Sequence, residues 1–155
     1  MKRNQGFTLL EMIVIILIVA ILVALTVPAL LAARRVSNAT NAFGNLRSFS
    51  SAMTTYSQDR SDQKFPLTME EAQYYYSHID PKGGYKYYYR SNGSSFVYYA
   101  YPISLSNGVK IYYADESNSI FEAEANQTNM KDPTLDLSLL SINRVLDPAL
   151  TWQKK

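Results

Sequence analysis

The chain of 155 residues contains no cysteine and one histidine, His78. Without cysteine there is no disulfide and no thiolate nucleophile. One histidine with no cysteine beside it cannot build a soft metal site, so His78 reads as a surface or turn residue. There is also no glycine-rich phosphate loop. No catalytic constellation can be assembled, and the chain reads as a non-enzyme that needs no cofactor. Charge of either sign is missing from Met12 to Ala33, a run of 22 residues. Glycine is missing between Phe7 and Gly44. The formal net charge is +2, but two of the basic residues, Lys2 and Arg3, stand ahead of the apolar run. Beyond them thirteen basic and thirteen acidic side chains remain, so the balance gives no support for nucleic-acid binding through phosphate neutralisation.

What is present begins with that run. About 20 apolar residues in a helix cross the hydrocarbon core of a bilayer, and Gly6 to Ala33 is broken by one acid, Glu11. The basic leader keeps the N-terminus cytoplasmic, which places the rest of the chain outside the cytoplasm. An ordinary secretory signal has a core of about 7–15 apolar residues. This run is longer, and an acid sits inside its start. A plain membrane anchor would do better with leucine at position 11, because an acid costs about 2.5–3.5 kcal/mol at mid-membrane and less near an interface. Such a residue needs a partner. If the chain is cut between Gly6 and Phe7, the new α-amino group is a cation at neutral pH, four residues before Glu11. It can pair with a Glu11 carboxylate, most usefully one from a neighbouring copy.

The stretch Gly6-Phe7-Thr8-Leu9-Leu10-Glu11, followed by the apolar run and Pro28, resembles the class III signal of type IV prepilins and type II secretion pseudopilins. The resemblance implies cleavage after Gly6 by a prepilin peptidase, N-methylation of Phe7, and use of Phe7 and Glu11 in subunit assembly. It also implies an inner-membrane precursor held by lipid, an inner-membrane assembly platform as partner, and then an extracellular or periplasmic filament made of copies of the chain. Pro28 removes one backbone donor and is expected to kink or loosen the helix. Many pilins close a C-terminal loop with a disulfide, and this chain departs from them by having no cysteine.

Past the run, Arg34 and Arg35 mark the membrane exit. Val36, Ala39, Phe43, Leu46, Phe49, Met53 and Tyr56 then recur at three- and four-residue spacing, an amphipathic stripe. Asn38, Asn41, Asn45, Arg47 and Ser51 lie on the other face. One helix from about Phe7 to about Gln58 is expected. Thr68-Met69-Glu70-Glu71 reads as a capping box, with Glu71 reaching back to the Thr68 amide, at the head of a short helix to about Ser77. Strands follow at Tyr85–Arg90, Phe96–Tyr101, Val109–Tyr113 and Ser119–Ala123, separated by turn residues that include Asn92-Gly93 and Asn107-Gly108. The fold class is α+β, a long N-terminal helical spine on a small antiparallel sheet of three or four strands, which is also the type IV pilin-like arrangement. The domains are a leader at 1–6, a transmembrane and filament-core helix at 7–33, and a pilin-like α+β domain at 34–155. Apolar residues from Leu135 to Leu150 could seal a sheet edge, and Trp152 suggests a docked terminus.

Three further features invite a ligand. Asp132 and Asp136 could hold calcium, but their spacing matches no defined oxygen-ligand loop, and no metal site is assigned. The tyrosine clusters 74–76 and 87–89 could stack on bases beside Lys82, Lys86, Arg90 and Lys110, so a minor pilin that binds DNA or a surface is a second reading, and a type II pseudopilin a third. The plainer account of the strand tyrosines is that alternate rings face core and solvent with wet hydroxyls. Three Asn-X-Ser/Thr sequons, at Asn38, Asn92 and Asn126, carry no weight in a prokaryotic chain. The expected function is a structural filament subunit serving adhesion, motility, DNA uptake or secretion.

Overall fold

The structure, a computed structural model, describes residues 7–77, 80–126 and 151–155. Gly6, His78, Asp132, Asp136 and the apolar residues from Leu135 to Leu150 lie outside them. Among the described residues the chain forms helices α1 (Leu9–Gln58) and α2 (Met69–Ala72) and strands β1 (Tyr85–Ser91), β2 (Phe96–Pro102), β3 (Lys110–Asp115), β4 (Ile120–Glu124) and β5 (Gln153–Lys154). The chain divides into two compact units, one ending at Arg34 and one beginning at Arg35.

In the first unit every described residue is exposed, large aliphatic side chains included. The mean hydropathy of the helix reaches 3.2 over 18 residues, enough to cross a membrane by length and composition. A helix apolar on every side has no stripe to bury on a protein core and suits lipid instead.

In the second unit α1 becomes amphipathic. Ala42, Leu46, Phe49, Ser50, Met53 and Tyr56 are buried, at the spacing that puts them on one helix face. Val36, expected in the stripe, is 67% exposed, while Ala39 and Phe43 are half-buried against the core. The polar face is not simply solvated either. Asn38 donates to the Asn107 carbonyl at 3.0 Å and Asn45 to the Tyr87 hydroxyl at 2.9 Å.

The sheet has five strands rather than three or four, in the order β1-β2-β3-β4-β5, and every neighbouring pair is antiparallel. The added strand comes from the C-terminus, where Gln153 pairs with Glu122 and Lys154 with Phe121. Lys155 and Lys110 both reach the Glu122 carboxylate, at 3.1 and 2.6 Å. These contacts, the Lys110 hydrogen bond first, hold that carboxyl below its usual range.

Two local readings change. The second helix stops at Ala72 and continues as turns, so the Tyr74–Tyr76 cluster is not helical. Its cap forms at Thr68, which accepts the Glu71 amide at 3.3 Å, but the Glu71 carboxylate takes the amide of Leu67 at 2.8 Å rather than that of Thr68. Gly108 is explained by packing: a Cβ there would collide with the Tyr85 hydroxyl, which donates to the Lys110 carbonyl at 2.9 Å.

The tyrosines alternate across the sheet, but both faces are packed. Tyr85, Tyr87, Tyr98 and Tyr112 join α1 in one core cluster. Tyr99, Tyr101 and Tyr113 form a second with Val97 and Ile111, against which Tyr88, Phe121 and Trp152 pack. The expectation of solvent on the second face is therefore corrected: Tyr99 is 6% and Tyr101 3% exposed. Trp152 is docked as expected, edge-on to Tyr99 and Tyr113.

Burial, the largest cause, pushes the Tyr87 and Tyr112 hydroxyls up to about 12 and those of Tyr85, Tyr89 and Tyr98 higher still. A folded pKa above the unfolded value means that the native state holds the proton longer. The stability so gained is complete below about pH 10 and is lost as pH rises beyond it. In a spectrophotometric titration these five rings should therefore ionise only with loss of the circular-dichroism signal. Ionisation of all 13 tyrosines in one step with the fold intact would contradict this. Phe49→Ala should cost about 3–5 kcal/mol, whereas exposed Val36→Ala should stay within about 0.5 kcal/mol, both read from thermal melts.

Candidate functional site

The residues singled out at the N-terminus meet at the first turn of α1. The helix begins at Leu9, so Thr8 occupies the capping position and Glu11 the third helical one. The Thr8 hydroxyl accepts the Glu11 amide at 3.2 Å. In return Glu11 Oε2 accepts both the Thr8 amide and the Thr8 hydroxyl, each at 2.8 Å. This is a reciprocal capping box, and it supplies partners for backbone donors that a helix start leaves open. In lipid each unmet backbone group costs several kcal/mol, so the box offsets part of the cost of placing an acid there.

The sequence signal for this box was available. Thr8-Leu9-Leu10-Glu11 has the same Thr-x-x-Glu form as Thr68 to Glu71. Reading Glu11 only as an acid in search of a cation hid its second use. Glu11 Oε1 has no hydrogen bond among the described residues. A carboxylate oxygen offers two lone pairs, so the box leaves acceptor capacity for a further donor.

Phe7 precedes the helix and is 75% exposed. Pro28 lies inside α1, which runs through it. Having no N–H, it leaves the Ala24 carbonyl without its ordinary helical donor. Two residues earlier the Thr26 hydroxyl donates to the Leu22 carbonyl at 2.9 Å and the Val23 carbonyl at 3.3 Å, a back-bond that often accompanies a bend. The helix ladder is therefore one bond short at Ala24, next to the Thr26 back-bond.

The other candidates do not converge. The strand tyrosines turn their hydroxyls inward: Tyr89 donates to the Pro66 carbonyl at 2.6 Å and Tyr101 to the Tyr88 hydroxyl at 3.2 Å. Base stacking needs open ring faces, which the buried Tyr87 does not offer, while Tyr88 and Tyr89 are half-buried. In the other cluster Tyr74 is 91% exposed, while the Tyr75 hydroxyl donates to Asp59 at 2.9 Å. Among the described residues no group of three or more metal-ligating side chains occurs.

A protein-family model described as the prokaryotic N-terminal methylation motif matches residues 1–27. No curated protein matches the chain. The matched segment holds Gly6, Phe7, Thr8 and Glu11, and the second unit packs the C-terminal part of α1 on an antiparallel sheet. This chain carries the prepilin signal of the type IV pilins and pseudopilins, joined to an α+β fold of the type IV pilin-like kind.

Proposed function

We propose that the protein is a structural subunit of a type IV pilus-like filament. It is made as a membrane-anchored precursor, with residues 1–6 as leader, 7–33 as span and 34–155 as the outer domain. Prepilin peptidase cuts after Gly6 and Phe7 becomes N-methylated. Copies then pack through the helix from Phe7 to Ala33, handed from lipid to filament by an inner-membrane assembly platform. The observation that carries this reading is the geometry at Glu11, seen together with the signal. One carboxylate oxygen closes the helix start and the other retains capacity. The new ammonium at Phe7 of a neighbouring copy is the cation that fits. Two partners for one carboxylate would align subunits with a register set at the first turn. In the packed filament α1 yields at the bond missing from Ala24, with Pro28 as the kink.

The first test is the N-terminal mass of the protein from its own cell envelope. N-methyl-Phe7 is expected; an intact Met1 or a terminus near Ala33 would refute processing by this route. Gly6→Val should leave precursor on a gel, and complete processing of that variant would reject the peptidase assignment. Glu11→Ala should be processed yet assemble poorly. Glu11→Gln separates the two uses of the side chain, since glutamine can close a capping box but cannot pair with an ammonium. It should also be processed and fail to assemble. Filaments at normal yield from the Gln variant would assign Glu11 to capping alone. Imaging of sheared material then distinguishes surface pili from a pseudopilin confined to the envelope.

A further inference from the structure

The unit that begins at Arg35 contains a groove of about 360 Å³ lined by α1, by residues at and just before β3, and by the C-terminal Lys155. Its floor is apolar, with Val36, Phe43 and Tyr112, and three cations, Arg35, Lys110 and Lys155, line it. Lys110 and Lys155 share one carboxylate, Glu122. Glu124 stands across from Lys110 in the β3–β4 register and is exposed. Arg35 forms no ion pair among the described residues, and its Nε is shielded from solvent with no hydrogen-bond acceptor there. A shielded guanidinium donor without an acceptor is costly, and carboxylate and phosphate oxygens are the acceptors that arginine matches.

Position along the chain narrows the choice of acceptor. Arg35 follows Ala33, the last residue of the uncharged run, by two residues, about 3 Å of helix rise. A headgroup layer is about 5–7 Å thick, so Arg35 falls within it when the run spans the bilayer. Cations beside an exposed apolar strip suit an amphiphile rather than a free ion. Basic pockets between membrane helices on the cytoplasmic side hold anionic headgroups, and the same pairing of cations with an apolar strip is present here on the opposite side.

We propose that this groove binds the headgroup of an anionic phospholipid of the non-cytoplasmic leaflet while the subunit resides in the membrane. The phosphodiester meets Arg35 and Lys110, and the glycerol and first methylenes lie along Val36 and Phe43. Such a site would hold the domain against the membrane surface and be vacated when the subunit leaves lipid.

The proposal rests on the reading of residues 7–33 as a span, and the test separates the two. Flotation of the full chain with phosphatidylcholine vesicles reports the span alone. Native mass spectrometry of the full chain in detergent, with phosphatidylglycerol or phosphatidylcholine at equal concentration, reports the groove. Phosphatidylglycerol should be retained about tenfold better, because phosphatidylcholine offers the same phosphodiester but adds a quaternary ammonium that Arg35, Lys110 and Lys155 repel. Arg35→Gln and Lys110→Gln should each remove most of that preference, Arg35→Gln without shifting the thermal midpoint. Lys110→Gln leaves Glu122 its bond to Lys155, so it keeps the fold independent of the Arg35 result. Arg34→Gln, at an exposed position outside the groove, should change nothing, and inorganic phosphate should not compete. Flotation without a lipid preference overturns the lipid site alone, and loss of flotation overturns the span and the site together. An equal effect of Arg34→Gln would mean diffuse surface charge. Competition by inorganic phosphate would mean a free-anion site, and an Arg35-dependent dimer in place of the lipid adduct would mean a contact between copies. Each of these three also overturns the proposal.

Discussion

The ring of Phe49 lies 3.9 Å from that of Tyr98 and nearly parallel to it, with the rings of Tyr76, Tyr89 and Phe96 set edge-on around the same phenylalanine. Phe49 sits on α1 and Tyr98 on β2, which has neighbours on both sides in the sheet. Everything else in the second unit is arranged about this junction. The neighbouring tyrosines must bury their rings while keeping their hydroxyls paired, and they do so on Asn45, the Pro66 carbonyl and the Lys110 carbonyl. Gly108 must be glycine to let the Tyr85 hydroxyl pass. A core this rich in tyrosine is held by many directed contacts, since each ring brings a large apolar area and one polar atom that must find a partner.

One helix is asked to work in two solvents. As far as Arg34 it is apolar on all sides; from Arg35 it keeps a single buried stripe. The change in pattern falls where two arginines interrupt the apolar run, and long basic side chains are suited to an interface because their stems tolerate apolar surroundings while their heads seek water or phosphate. The same economy appears at the other end. Glu11 closes its own helix with one oxygen and keeps the other available, so a residue that would be a liability in lipid becomes the polar feature around which the first turn is built.

The N-terminal signal, the continuous helix and the α+β class were legible in the sequence because each depends on local pattern: residue order at Gly6 to Glu11, unbroken hydropathy, the 3.6-residue stripe, and β-rich runs between turn residues. The capping box at Thr8 was legible too, in the same form as the one at Thr68. What local pattern could not decide were the contacts between residues far apart in sequence. The fifth strand is two residues long, too short to carry a periodic signal, and it exists because β4 offers an open edge and Glu122 two lysines to hold. The second face of the sheet is packed because Trp152 meets Tyr99 and Tyr113, although an alternating tyrosine strand reads the same whether its other face is wet or covered. Glu71 takes the Leu67 amide, and Val36 stays exposed while Ser50 is buried, because the direction of the incoming loop and the sheet's position on α1 select among helical neighbours. Sequence by itself determined the long helix, the first four strands and what the N-terminus presents. Only the tertiary structure decided which side chains share a groove at Arg35, since that placement depends on how the sheet lies on the helix.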